Sequence, residues 1–421
     1  MIFIQVFSSI LLLIFCYLLL RSSHFDRIAG LALSFKIFAG IALGLIYKHY
    51  YQGGDTFEYF VEAKKVASYL CQNPAQAFYI YFDSGEVPDF YNTLRFTNEP
   101  RALFFAKITS IFYVLTGGNY WLIGAYFSLL SFTGVYFLVN ELKRNFTNQT
   151  SAVVYSFYFL PTFVFWSSGL LKESLAVACL CGIFCVALAI NRTVNYSRIS
   201  YWICFVICFW ILWNLKYYFA AVALPFLVIL IFYKVTEKYK KWRPITLLAL
   251  LLISFIIISN THYNLNPSRT ADIIYRNYLI GQNSASGNYI RYHNFDGSLG
   301  SFIMNLPIAL FSGLFRPMVG ETKGFFQLLV ALENLLVMVM FFMALWRSRS
   351  LKNDGNVLFM LLSFLYVCTM AAMLAFSTPN FGTLSRYKVG YWPFFVLLLL
   401  TFLLRKQKGQ NQKETGLNYK I

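Results

Sequence analysis

The sequence predicts an all-α, polytopic membrane helix bundle, with about eleven transmembrane helices plus two helices lying on the outer surface or partly inserted. Three observations predict it. Charged residues make up 12% of the chain, about half the share usual in a soluble domain. The apolar residues, 58% of the total, form blocks of about 15–21, close to what a hydrocarbon core of roughly 30 Å requires. Of the 35 Lys and Arg, 19 fall in five short connectors and the C-terminal tail, whereas two long loops of much greater combined length hold only 11. That asymmetry is the positive-inside pattern of a multi-pass protein.

In chain order, spans are expected near 2–20, 28–47, 120–140, 151–167, 171–190, 201–215, 217–233, 244–260, 326–346, 356–376 and 389–404. The first block has no basic residue before it and no small-residue cleavage site after it, so a retained helix is expected rather than a signal peptide. Tyr and Trp gather at block ends, as in Tyr47-Lys48-His49-Tyr50-Tyr51 and Tyr217-Tyr218, where amphipathic rings anchor at the interface. Seven of the eight cysteines fall inside apolar blocks and only Cys71 in a loop, so neither a disulfide framework nor a metal site is expected.

The net charge of +18 does not point to nucleic acid, because the cations sit in connectors rather than on one continuous face. The connectors at Arg21/Arg27, Lys143/Arg144, Arg192/Arg198, 234–243 and 347–352, with the tail, are expected to be cytoplasmic. Loops 48–119 and 261–325 are then outside, with the N-terminus outside and the C-terminus inside. Segments 102–116 and 300–315 are apolar enough to insert, but counting either as a span would invert a strongly basic connector. Both are therefore expected at the outer surface or dipping partway in, over a roofed cavity. One transmembrane domain covers 1–404, and 405–421 reads as a disordered basic cytoplasmic tail.

Candidate chemistry lies at the outer ends of the spans. Gly53-Gly54-Asp55-Thr56-Phe57-Glu58 opens the first long loop. Two glycines permit a tight turn that would hold the Asp55 carboxylate at the membrane face. There it could accept a proton from a hydroxyl or ligate a divalent cation. The competing reading is that Asp55 caps a helix starting near Thr56, with Glu58 one turn on. Lys172 and Glu173 sit just inside an apolar helix, as functional charges or as a mutual ion pair. Lys216, Arg316, Arg386 and Lys388 recur at outer helix ends, where positive charge is disfavoured, and so suit an anionic ligand. Lipid headgroups or the acids of the first loop are the alternative partners. The second loop's Arg269, Asp272, Arg276, Arg291, His293 and Asp296 read as solvated surface, and nearby Tyr289 and Tyr292 could stack on a glycan.

This order of features resembles the polyprenyl-phosphate-dependent membrane glycosyltransferases of the GT-C superfamily over roughly residues 40–190. Asp55 matches an acid shortly after a span, 101–116 with Gly117-Gly118-Asn119 matches a surface helix, and 120–140 matches the returning span. Pro161 and Glu173 resemble the proline and acid where the next helix pair meets outside. Residues 166–173, 380–393, Phe315-Arg316-Pro317 and Glu321 are similar to bacterial envelope proteins related to polysaccharide polymerases. The chain departs from the pattern in an extra N-terminal span, a single Pro100 where paired prolines are usual, and no soluble outer domain after the bundle.

The resemblance implies a bacterial inner-membrane transferase or polymerase moving sugar from a polyprenyl-(di)phosphate-linked donor to a glycan acceptor on the outer face. Asp55, Glu173 and Lys172 would be catalytic, and Glu58, Lys216, Arg316, Glu321, Arg386 and Lys388 would bind substrate. No cofactor is expected beyond a divalent cation as an alternative use of Asp55. The bilayer is the remaining partner, and nucleic acid is not one. A transporter or flippase of the same lipid-linked glycans would need the cations but no base, and a non-catalytic envelope-assembly protein would need neither.

Overall fold

The computed structural model describes residues 2–21, 27–82, 88–194, 197–239, 241–284, 288–347 and 357–404; the expected tail 405–421 lies outside the described residues. Among the described residues there is no strand, only an isolated bridge between Tyr289 and Asn380. The helices are α1 (Ile2–Arg21), α2 (Arg27–His49), α3 (Asp55–Gln72), α4 (Ala77–Phe82), α5 (Pro88–Asn92), α6 (Pro100–Leu115), α7 (Tyr120–Asn145), α8 (Thr150–Tyr158) and α9 (Pro161–Trp166). There follow α10 (Lys172–Thr193), α11 (Ile199–Phe232), α12 (Arg243–Thr261), α13 (Pro267–Ser284), α14 (Leu299–Phe315), α15 (Phe325–Arg347), α16 (Val357–Ser377), α17 (Phe381–Tyr387) and α18 (Trp392–Leu403).

Eight of these, α1, α2, α7, α10, α11, α12, α15 and α16, are long and apolar enough to cross a membrane, and α14 and α18 are shorter apolar helices. The chain is a multi-pass membrane helix bundle. Its outer helices expose large apolar side chains, such as Leu13 on α1, Phe255 on α12 and Phe342 on α15. Lipid chains cover such faces at no cost.

Three spans differ in detail from expectation. At 34 residues, α11 would be about 51 Å long if straight. It reverses at Lys216, whose φ of −147° and ψ of 67° are not helical. Glu173, at the start of α10, bonds Lys216, and Gly182 lies against Cys208, so the first arm of α11 climbs α10 toward that end. Asn191, near the far end of α10, then bonds the Leu230 carbonyl, so the second arm has come back down. The expected spans 201–215 and 217–233 are thus two arms joined at a one-residue apex. The expected span 151–167 is broken into α8 and α9, because Pro161 drives Leu160 out of helical geometry (ψ 111°). The last span begins at Trp392, after α17 and a single turn at 388–390.

One end of the bundle gathers the end of α2, the start of α3, the starts of α7 and α10, and the α11 apex. We call it the site end. At the opposite end Glu141 of α7 takes Arg192 of α10 at 2.6 Å and Arg144 at 3.1 Å. Gln149 there bonds the Thr401 carbonyl at the far end of α18, at 3.0 Å.

The two extra helices both lie at the site end. In α6, Phe105 and Phe112 both meet Phe127 of α7, so α6 crosses α7 instead of running along it. In α14, Phe302 packs on Phe376 at the last turn of α16, and Gly313 lies against the backbone of Ala371 further down. The chain then turns at 316–321 and returns to the site end, where Phe326 meets Tyr50 just beyond α2. Helix α14 is therefore re-entrant. Its tip is tolerated at depth because protein surrounds it.

Candidate functional site

Asp55 is placed by the turn that ends α2. Gln52, Gly53 and Gly54 all have positive φ (52°, 137° and 102°), and glycine alone adopts the last two without strain. The Gly53 N–H closes on the Tyr47 carbonyl at 3.0 Å, and α3 starts at Asp55 with Gly54 as its cap. The capping alternative for Asp55 therefore fails: Gly54 holds the cap position, its carbonyl accepting from the Phe57 and Glu58 N–H groups at 3.0 and 3.1 Å, and Asp55 is the first helical residue. Its carboxylate reaches sideways to Arg386 of α17, with Arg386 Nη1 donating to Asp55 Oδ2 at 2.5 Å.

From there an ionic chain runs into the bundle. Arg386 Nη2 donates to Glu173 Oε2 at 2.8 Å, and Lys216 Nζ donates to Glu173 Oε1 at 2.7 Å. The Asp55 side chain at its outer end is 46% accessible and Arg386 13%, whereas the inner pair, Glu173 at 0% and Lys216 at 3%, is buried. The four formal charges cancel, which lowers the cost of holding them at membrane depth. Glu173 also occupies the first turn of α10, where the helix dipole favours an acid. Burial alone would lower the Arg386 pKa, but Glu173, then Tyr47 and Asp55, hold it well above the usual guanidinium value. Its Nε is buried with no partner among the described residues. Burial first, then the Asp55 carboxylate, push the neighbouring Tyr59 phenol up, keeping it neutral.

Tyrosine rings frame the cations. Lys216 Nζ lies 3.5 Å from the Tyr387 ring centroid, and Lys172 Nζ lies 5.0 Å from that of Tyr59. Lys172 forms no ion pair with Glu173, contrary to one sequence reading: both Glu173 oxygens are taken by Lys216 and Arg386. A cavity of about 300 Å³ adjoins the chain through Tyr218 and Tyr387.

Four other expected residues stand apart from this chain. Glu58 turns away to Arg95 at 2.6 Å, inside the first long loop. Arg316 Nε donates to both oxygens of Glu321, at 2.8 and 3.0 Å, and the Met318 N–H donates to Glu321 Oε2 at 2.9 Å. That pair locks the turn at the α14 tip. Lys388 is fully buried and donates to the Leu314 and Arg316 carbonyls and to Asn334 Oδ1, at 3.3, 2.8 and 3.1 Å. All three of its N–H groups are used, so it holds the re-entrant tip instead of offering a donor to a ligand.

Two cations escaped the sequence reading. Lys36 is buried in α2, donating to Ser167 Oγ at 2.6 Å; a lysine inside an apolar block was the signal available. Arg101 lines the cavity from the first turn of α6, and nothing local distinguishes it from a solvated helix end. Among the described residues no three His, Cys, Asp or Glu side chains converge as a metal site would require. No protein-family model matches the chain, and neither a curated protein nor a solved structure does.

Proposed function

We propose that this chain is a bacterial inner-membrane glycosyltransferase or polysaccharide polymerase, using a polyprenyl-(di)phosphate-linked sugar donor at the site end. The observation that carries the reading is the Asp55–Arg386 pair. It sets a half-exposed carboxylate beside a guanidinium whose Nε is buried and unsatisfied. A buried orphan donor calls for an acceptor, and a phosphate oxygen suits it.

In this scheme Asp55 accepts the proton of the acceptor hydroxyl as its oxygen forms the glycosidic bond. The bond from the sugar anomeric carbon to the lipid-phosphate oxygen breaks, and the phosphate leaves with that electron pair. Arg386 and Lys172 face the developing negative charge, the dominant electrostatic task of such transfers. Glu173 and Lys216 are positioning residues that aim Arg386. A divalent cation at Asp55 would compete with Arg386 for the carboxylate, so the reading gives Asp55 the base role. The connector cations Arg144 and Arg192 lie at the end opposite the site, which fits an outer-facing site, an outside N-terminus and a cytoplasmic C-terminus.

The test is glycan formation by purified chain in nanodiscs supplied with polyprenyl-linked sugar, comparing wild type with Asp55→Asn. A general base contributes about 10²–10⁴-fold, so turnover should fall by that range with folded yield unchanged. Full turnover by Asp55→Asn would remove the transferase reading and favour a transporter of the same lipid-linked glycans.

A further inference from the structure

The cavity beside Tyr218 and Tyr387 has a lining that the ionic chain does not explain. It lies between the first turn of α6, the apex of α11, α13, the last turns of α16 and α17. At about 300 Å³ it sits at the small end of ligand pockets, with room for one polar ring and a substituent. No acid lines it. Arg101 does, and among the described residues it has no carboxylate partner, only the face of Tyr217 with its centroid 5.6 Å away.

The remaining polar groups suit a ring rich in hydroxyls. Tyr217 is fixed by stacking on His262 at 4.0 Å and by the Asn264 amide, which donates to its hydroxyl at 3.2 Å. Burial, then the charge of Arg101, hold the His262 imidazole below its usual value, so it adds no second positive charge near neutral pH. The Tyr218 hydroxyl is buried with no partner and lies within electrostatic reach of Arg101. Asn277 lines the cavity from α13. The apolar part of the wall, Ile274 and Met373 among it, suits the C–H face of a sugar.

We infer that this cavity binds a sugar unit bearing an acidic group, a carboxylate or a phosphate, with Arg101 on the oxyanion and Tyr218 and Asn277 on ring hydroxyls. Arg is suited to that contact through its planar fork of donors. The inference rests on the transfer reading only for its role, which would be to select an acidic acceptor; binding itself is measured without turnover.

The experiment is a saturation-transfer NMR titration of the full chain in nanodiscs with glucuronate, glucose 1-phosphate and methyl glucoside. Both anionic sugars should bind at least about tenfold tighter than the neutral one. Arg101→Ala, at an exposed position, should erase that preference, a loss of about 10–100-fold, with methyl glucoside unaffected. Tyr218→Phe should weaken all three several-fold. Equal affinity for charged and neutral sugars, or unchanged binding in Arg101→Ala, would overturn the inference. So would displacement of glucuronate by sugar-free polyprenyl phosphate, which would mark the cavity as a lipid-headgroup site. Loss of turnover in Asp55→Asn bears on the transfer reading alone, so the two can fail separately.

Discussion

Arg386 and Glu173 are 213 positions apart in the chain, yet Arg386 Nη2 donates to Glu173 Oε2 at 2.8 Å inside the bundle. The contact joins α17 to the start of α10, and through Lys216 it also ties down the apex of α11. Three helical elements meet on one carboxylate.

Glu173→Gln should therefore be the most destabilising polar substitution at the site. It leaves Arg386 and Lys216 charged, buried and without their shared acid. Breaking a buried pair from one side costs about 3–5 kcal/mol. Thermal unfolding in nanodiscs should show a large fall, partly restored by adding Lys216→Met. An unchanged unfolding temperature would mean that the chain is not what holds these helices.

Asp55→Asn should behave differently. Its carboxylate is about half-exposed, and ion pairs with a solvated partner are worth about 0–1 kcal/mol, while Arg386 keeps Glu173 as its buried acid. No cap is lost either, because Gly54 and not Asp55 is the cap of α3. Unfolding should stay near wild type while turnover collapses, and Asp55→Glu should lose most activity too, since a shift near 1 Å can cost about a hundredfold. Parallel loss of stability and rate would indicate a structural carboxylate.

Gly313→Ala tests the re-entrant helix. A Cβ at Gly313 would come 2.2 Å from the Ala371 carbonyl oxygen and 2.9 Å from its Cα, both backbone atoms that cannot swing aside. Overpacking of this kind costs about 1–3 kcal/mol. Folded yield should drop, whereas Gly320→Ala, with nothing within 4 Å, should be silent. Equal yields for the two would contradict the close α14–α16 approach.

Orientation can be read with thiols. Cys71 is exposed at the end of α3, on the site side, and should react with a membrane-impermeant maleimide in outer-permeabilised cells. In a Cys71→Ala background, Lys241→Cys should react only after lysis. Labelling of position 241 in intact cells would reverse the topology and place the site inside.

Much of the architecture is legible in the order of residues alone. Block length and cation-rich connectors are local properties, and hydrocarbon imposes them segment by segment. So the spans, the re-entrant 300–315 helix and the Gly53-Gly54 turn presenting Asp55 can be read from the residues. Partner choice cannot. Whether Glu173 pairs with Lys172 beside it or with Lys216 and Arg386 far away depends on how α10, α11 and α17 pack. Nothing in residues 172–173 encodes that. The same limit explains Lys388, expected to meet a ligand but consumed by carbonyls at the α14 tip. It explains Arg101 as well, an ordinary helix-end arginine until α11, α13 and α16 close a cavity around it. Hydrophobicity sorts segments into the membrane one at a time, whereas an ion pair exists only where packing brings its two side chains within about 3 Å.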